Sequence, residues 1–525
     1  MRMLRGRLPR TKLGPGVLFL FVLSLSVFSA GGASAAPSAV GYVYVNDNTA
    51  GANTIAGFAR QANGTLTPLP GSPFAAGGAG TGTGIASQGA LQLSADGRYL
   101  LAVDAGSNQI SVLRIEPGGV LQSVNEVSSN GTDPVSIAIH ESLVYVANAG
   151  ATDSNYTGFT LSTGGQLQPL AGSTVALPNG SQPGDVLFSG DGSKLVGDRV
   201  GSSLIDSFTV AGNGLLSAAP GSPFTPQGYG PFGSEFRPTN TAQLFVTNAH
   251  TAEAGPAPGS VSAFTDAANG VLTPISGSPF MNDGIASCWV EISHDGAYLF
   301  SVNTASATIS SYAIATSGAL TFLSSTKLGG SVHGPEDARL SPDGATLFVV
   351  DAGTDELSSF AVSGGTLSEL AQSPTPLPAG AAPAGVVVTE TNLQGSNLAG
   401  VDFEGANLPD ANLQGSNLQG ANLEGASLQD ATLQGSNLQG VNATGADFID
   451  AGLAGANLQQ GTFTNANLGG ADLQGANLQG ANLTGASLAG ATVTGANLQG
   501  ITWSNTTCPD GTNSNADGGT CLSHL

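Results

Sequence analysis

Pro342-Asp343-Gly344-Ala345-Thr346-Leu347-Phe348-Val349-Val350-Asp351 holds the unit from which the fold of this 525-residue chain is read. An Asp-Gly turn leads into a run of β-branched and aromatic residues, and the run closes on an Asx side chain able to bond the backbone of its own next turn. The run recurs as Tyr42-Val43-Tyr44-Val45-Asn46, Leu101-Ala102-Val103-Asp104, Tyr145-Val146-Ala147-Asn148 and Leu195-Val196-Gly197-Asp198. It returns as Phe245-Val246-Thr247-Asn248 and Phe300-Ser301-Val302-Asn303, so that seven Asx residues fall 44 to 58 positions apart. The turn itself recurs as Ala95-Asp96-Gly97, Gly190-Asp191-Gly192 and His294-Asp295-Gly296, and alternating strands such as 109–113 and 308–312 follow the runs. A fourth strand then ends in a Gly-x-Leu-x-Pro-like segment, three of which finish as Gly-Ser-Pro-Phe at 71–74, 221–224 and 277–280. Four short antiparallel strands in each unit of ~50 residues predict an all-β, seven-bladed β-propeller.

The first blade opens at 40–45 without a first strand. Val386-Val387-Val388 is predicted to supply it, closing a propeller of residues 38–389 and removing the open edge of a chain-end blade. Composition agrees with many short strands and turns: 77 glycines, only 9% charged residues and 40% hydrophobic residues. Such a chain is neither a helical bundle nor, with positive mean hydropathy, broadly disordered.

Arg2, Arg5, Arg7, Arg10 and Lys12 precede a twelve-residue apolar stretch, 17–28, and Ala33-Ser34-Ala35 offers small residues at a cleavage site. The stretch is short for a membrane span, so residues 1–35 read as a signal peptide and the product as secreted and extracellular. The remainder carries eight Lys/Arg against 36 Asp/Glu, a formal charge of −28. Nucleic acid and anionic membrane surfaces are excluded as partners on that charge, and no membrane span is expected.

From 391 to 505 the chain repeats every five residues for 23 units, typified by Ala411-Asn412-Leu413-Gln414-Gly415. Neither a helix nor a strand has this period, so each unit is one side of a coil, with Leu and the preceding Ala or Ser inside. The segment resembles the pentapeptide repeat family. That resemblance implies a right-handed quadrilateral β-helix of four units per coil, about 27 Å long at ~4.8 Å per coil. It also places Phe403, Leu423, Ala443, Phe463, Leu483 and Trp503 in one column, with the Phe463 ring expected to lean into the gap at Ala443.

Residues 506–525 form a cysteine-bounded cap in which Cys508 and Cys521 are expected to form a disulfide, as in an exported protein. Asn513, Asn515 and Asp517 echo the start of an oxygen-ligand Ca²⁺ loop, although the twelfth position is His524 rather than an acid. No cofactor is expected, with Ca²⁺ here as the single alternative to a turn-rich cap. The third cysteine, Cys288, reads as a small buried hydrophobe.

Blade sequence, Asx-ended runs and Gly-Ser-Pro-Phe segments together resemble the lactonase-type, 6-phosphogluconolactonase-like propellers over 40–389. That family often carries Pro-Arg-His ahead of an innermost strand, where this chain has Pro335-Glu336-Asp337. A second family position, rich in His and Pro, corresponds to Gly230-Pro231-Phe232-Gly233, without an imidazole. Asp185, Glu235, Glu291, Glu336 and Asp337 lie on or at the start of predicted innermost strands, so an acidic ligand mouth is expected, formed by Asp185, Glu235, Glu291 and Asp337. Such a mouth repels phosphate esters and suits a neutral sugar, a cation or a metal. The favoured reading is a non-catalytic binding or surface protein that presents this mouth beside a rigid solenoid. Its partners would be an extracellular protein or carbohydrate, and it would be a monomer or a homodimer through the solenoid. The alternative is an extracellular lactonase acting on a neutral lactone through His333, Glu336, Arg237 and Arg339.

Overall fold

The computed structural model describes residues 39–524 apart from 62, 86, 96, 117, 251–255, 330–333, 391–392, 396–397, 402, 404–407, 409–410 and 517. The leader at 1–35, His333 and Asp517 therefore lie outside the described residues. Among those described there is no α-helix, and a single 3₁₀ turn spans Ser514–Ala516.

Seven antiparallel sheets of four or five strands make the seven blades of a propeller. Their innermost strands are Val386–Glu390, Leu91–Leu93, Pro134–His140, Pro183–Phe188, Tyr229–Arg237, Ser287–Ile292 and Pro335–Leu340, for blades 1 to 7 in that order. The ring closes as the sequence predicts. Val386–Glu390 pairs antiparallel with Gly41–Asn46, placing Val386 opposite Val45 and Glu390 opposite Gly41. Strand alternation then divides the three valines between two cores. Val386 and Val388 pack with Val43, Val45 and Phe348 toward blade 7, whereas Val387 packs with Tyr44 and Leu91 toward blade 2.

The Asx residues are more deeply placed than a turn role requires, since all seven are at most 2% exposed. Asn46 and Asp351 do accept from their own turns, from Asn48 N at 3.1 Å and Gly353 N at 3.1 Å. Others reach across the sheet or to the next blade: Asn46 Nδ2 donates to Val103 O, Asn148 Nδ2 to Asn155 Oδ1 and Asn303 Nδ2 to Ser310 Oγ. Burial compels such bonds, because an unsatisfied polar group costs more here than in a surface turn. The Gly-Ser-Pro-Phe segments act alike. Ser72, Ser222 and Ser278 accept from the backbone N–H of Gly57, Ser207 and Ala263 on the third strands.

The pentapeptide region is a β-helix with a 20-residue coil: Asn412 bridges Thr432 in parallel, Thr432 bridges Gly452, and Leu413 N donates to Thr432 O at 2.7 Å. Central leucines such as Leu433, Leu453 and Leu473 are fully buried with the alanines two positions before most centres. The Phe463 ring meets Phe448 edge-on at 6.0 Å between centroids. It also occupies the volume left by Gly461, where an added Cβ would lie 2.6 Å from Phe463 Cε2. A glycine in its own unit, where most units carry Ala or Ser, thus contributes space for the ring. Cys508 and Cys521 form the expected disulfide, with Cα atoms 5.4 Å apart.

Candidate ligand mouth

An innermost strand presents one edge of unpaired backbone groups to the channel, and a bare edge is costly when buried. Here five of the seven edges receive a side-chain acceptor, four from the preceding blade and one, in blade 6, from Gln88 ahead of the blade 2 strand. Val186 N donates to Ser136 Oγ (3.2 Å), Ser234 N to Asp185 Oδ2 (2.9 Å) and Val290 N to Gln88 Oε1 (3.1 Å). Leu340 N donates to Glu291 Oε1 (2.8 Å) and Val386 N to Asp337 Oδ2 (3.2 Å). Several acids that the sequence assigns to the mouth therefore also fasten adjacent blades. Asp185 and Asp337 are almost wholly engaged this way. Asp185 accepts in addition from Ser136 Oγ and Ser234 Oγ, Asp337 from Ala338 N, and they are 2% and 0% exposed. Burial raises the Asp185 pKa to about 7 despite these donors, and raises that of Asp337 as well.

Glu235, Glu291 and Arg339 come together instead. They line a cavity of about 520 Å³ at the end of the channel where the innermost strands finish, with Gln92 and His294 as further polar groups. Leu93, Pro238 and Pro342 supply its apolar surface, while Ile292, Leu340, Val387 and Val388 border it with their side chains packed in the blade cores. Arg339 Nη1 lies 3.5 Å from Glu291 Oε2, and the two side chains are 28% and 5% exposed. Neither Glu235 Oε2 nor Glu291 Oε2 receives a hydrogen bond, although both are buried. Burial raises the Glu291 pKa to about 7, overcoming the opposing pull of Arg339 and of Leu340 N–H. Glu235 is raised further, by burial first and then by the Glu291 charge. Burial works against the Arg339 charge, yet Glu291, Asp337, Glu235 and Asp185 together hold its pKa above the ordinary arginine value.

Of the four residues named for catalysis, His333 lies outside the described residues, and Arg237, Glu336 and Arg339 are not assembled. Arg237 ends the innermost strand of blade 5 but clips blade 5 to blade 6: Nε donates to Gly296 O, Nη1 to Gln243 Oε1 and Ala315 O. Its head is thereby turned from the cavity. Glu336 starts the strand that Arg339 nearly ends, about 10 Å away at ~3.3 Å per residue. There burial, Asp337 and Asp351 raise its pKa to about 8. The Gly230–Gly233 segment contributes Phe232, which packs edge-on against Trp289 at 5.4 Å. His294 and Gln92 are cavity residues that sequence reasoning did not select. The signal for His294 was its place directly before Asp295-Gly296, the place that Pro342 holds before Asp343-Gly344, since both line the cavity.

The other inner basic residues are paired between or within blades, Arg60 with Asp343 at 2.9 Å, Lys194 with Asp266 at 3.0 Å and Arg199 with Asp206 at 2.5 Å. In the tail, Asn513 Oδ1 accepts from Asn515 N and Asn515 Oδ1 from Asn505 N. These oxygens serve the cap's own turns. Among the described residues no three His, Cys, Asp or Glu are grouped to hold a metal ion, and no helix is long and apolar enough to cross a membrane.

The sequence matches the family described as lactonase, 7-bladed beta-propeller over residues 42–188 and 237–391, more than half of the chain. It matches pentapeptide repeats over 389–425, 426–465 and 462–500. No curated protein matches the chain. A Bacteroides uniformis protein provisionally assigned as a 6-phosphogluconolactonase superposes with a TM-score of 0.54 at 19% identity, covering 66% of this chain and 99% of its own. The periplasmic gluconolactonase of Pseudomonas aeruginosa gives 0.52 at 19% identity, with 66% and 99% covered. A Lactobacillus plantarum protein gives 0.53 at 23% identity, with 67% and 99% covered. At these identities the likenesses speak for the fold alone.

Proposed function

We propose, for a chain that belongs to the lactonase 7-bladed β-propeller family, that the propeller is an exported binding module and that its mouth takes a small molecule which is not an anion. The solenoid then serves as a rigid spacer or contact surface beside it. One observation carries this reading: the cavity's guanidinium, Arg339, lies 3.5 Å from Glu291 and shares the cavity with Glu235 as well. A phosphoryl group is recognised by cationic forks with hydrogen bonds to spare. Here the charge of Arg339 is offset by Glu291 at 3.5 Å, and Arg237 is held by Gln243 of its own blade and by Gly296 O and Ala315 O of blade 6. Export is supported by the basic, apolar and small-residue leader and by the Cys508–Cys521 disulfide.

Hydrolysis of a neutral lactone is the second reading, favoured by Glu291 titrating near neutrality beside Arg339. A carboxylate so tuned takes a proton from water, and the guanidinium faces the oxyanion that forms at the lactone carbonyl. The test is a panel of neutral and phosphorylated lactones at pH 7, followed by titration calorimetry with the same compounds. Binding without turnover supports the module. Turnover abolished by Arg339→Ala and by Glu291→Gln establishes the lactonase, and tight binding of phosphorylated compounds refutes both readings.

A further inference from the structure

We propose that the cavity bounded by Glu235, Glu291 and Arg339 takes a small organic cation, an ammonium or guanidinium group carried on an apolar body. The inference rests on the mouth being a binding site and names the chemistry of what enters it.

The first reason is hydrogen bonding. Glu291 is 5% exposed in its side chain, lines the cavity and has an Oε2 atom that accepts no hydrogen bond. Glu235 Oε2, on the same wall, is likewise buried without a donor. Buried carboxylate oxygens are rarely left so, because the desolvation cost is repaid only by donors. Arg339 Nη1, 3.5 Å from Glu291 Oε2, offsets that cost in part, and a donor entering the cavity beside the two carboxyls adds to it.

The second reason is charge. Four carboxyls act on Arg339, and Asp185 and Asp337 are hydrogen-bonded in the channel wall without a cation of their own. One guanidinium offsets one carboxylate, so each further carboxyl that ionises leaves negative charge at the cavity. A hydroxyl satisfies the oxygens and leaves that charge in place, whereas an ammonium or guanidinium satisfies both. An anion satisfies neither.

The third reason is the wall. Leu93, Pro238 and Pro342 give the cavity apolar surface, and its volume of about 520 Å³ exceeds what a bare ammonium fills. It lies within the range of small-molecule sites, roughly 300–1,000 Å³. An apolar body beside the cationic head uses that surface.

The test compares matched probes on the full chain by titration calorimetry: benzylamine and benzamidine against benzyl alcohol, with glucose and glucono-lactone as neutral polar probes. Benzylamine is expected to bind at least about tenfold tighter than benzyl alcohol. Its affinity should rise between pH 6 and 8, by at most about tenfold per unit for one displaced proton, as Glu291 ionises. Glu291→Gln keeps an oxygen for Leu340 N–H and is expected to remove most of the amine preference with an unchanged melting curve. Arg339→Gln, which deletes the built-in competitor, is expected to strengthen amine binding. If either variant misfolds, the amine-to-alcohol ratio on the native chain decides alone. Equal affinity for amine and alcohol, or binding of the sugars without the amines, overturns the cation assignment and leaves the mouth as a binding site. No binding of any probe at millimolar concentration overturns the mouth reading as well.

Discussion

Replacing Val386 and Val388 by alanine tests whether the last propeller strand holds the ring shut. Both side chains lie in the core between blades 1 and 7, 0% and 7% exposed. Each substitution removes two carbon groups at about 0.8 kcal/mol apiece, or about 1.6 kcal/mol of transfer free energy. The void left in a core of Val43, Val45 and Phe348 brings each to about 2 kcal/mol. The double variant then loses about 4 kcal/mol, a large share of the 5–15 kcal/mol typical of a domain. Val120, 37% exposed, is the matched control, and its replacement by alanine should cost no more than about 0.5 kcal/mol. The chain has two tryptophans, Trp289 in the propeller and Trp503 in the solenoid. In a Trp503→Phe background, urea unfolding followed by fluorescence reports the propeller alone. A double variant that unfolds at the same urea concentration as Val120→Ala would refute the reasoning, because closure would then carry no stability.

Gly461→Ala should destabilise the solenoid by about 1–3 kcal/mol, since the new methyl group meets Phe463 Cε2 at 2.6 Å. The companion change Phe463→Leu should recover most of the loss in a thermal melt. Cys508→Ser with Cys521→Ser opens a loop with a sequence separation of 13 and should cost about 3 kcal/mol. Trp503 fluorescence should record that loss while the Trp289 transition stays in place. Asp47, Asp185 and Glu336 have folded pKa values raised by burial to about 7, about 7 and about 8. Their unfolded values lie near 4, so between these limits the folded state binds more protons and stability falls as pH rises. The propeller should melt higher at pH 5 than at pH 8, and a higher melting point at pH 8 would refute those burial effects. Arg237→Met should lower propeller stability, by loss of its bonds to Gly296 O and Ala315 O, and leave amine binding at the cavity unchanged.

Much of the architecture was legible because it rests on short-range rules. Seven Asx-ended runs marked seven second strands, and a blade without a first strand pointed to Val386–Val388 as its completion. A period of five left no reading but a coil, and the 20-residue parallel bridges give it four units per turn. Two cysteines in the tail of a chain that reads as exported paired as expected. The candidate site was legible only as a class. The sequence showed that innermost strands carry acids and two arginines, without showing which of them share a space. Register shifts decide that. The pairing slips between Pro231 and Ser234, again between Phe236 and Arg237, and between Pro335 and Ala338. Each slip re-aims the side chains that follow, since strand faces alternate residue by residue.

The amino-acid sequence by itself determined the strand count, the closing strand, the pentapeptide coil, the disulfide and the scarcity of positive charge. These follow from local periodicity, turn chemistry and composition, which act within a few residues of the chain. Only the tertiary structure decided that Arg339 joins Glu235 and Glu291 around a cavity while Arg237 locks blade to blade. It also decided that Asp185 and Asp337 serve as caps for neighbouring strand edges. Those outcomes depend on contacts between innermost strands about a blade apart in sequence, 49 residues from Asp185 to Ser234 and from Asp337 to Val386. Ring closure and bulge placement set such contacts, and neither leaves a periodic trace.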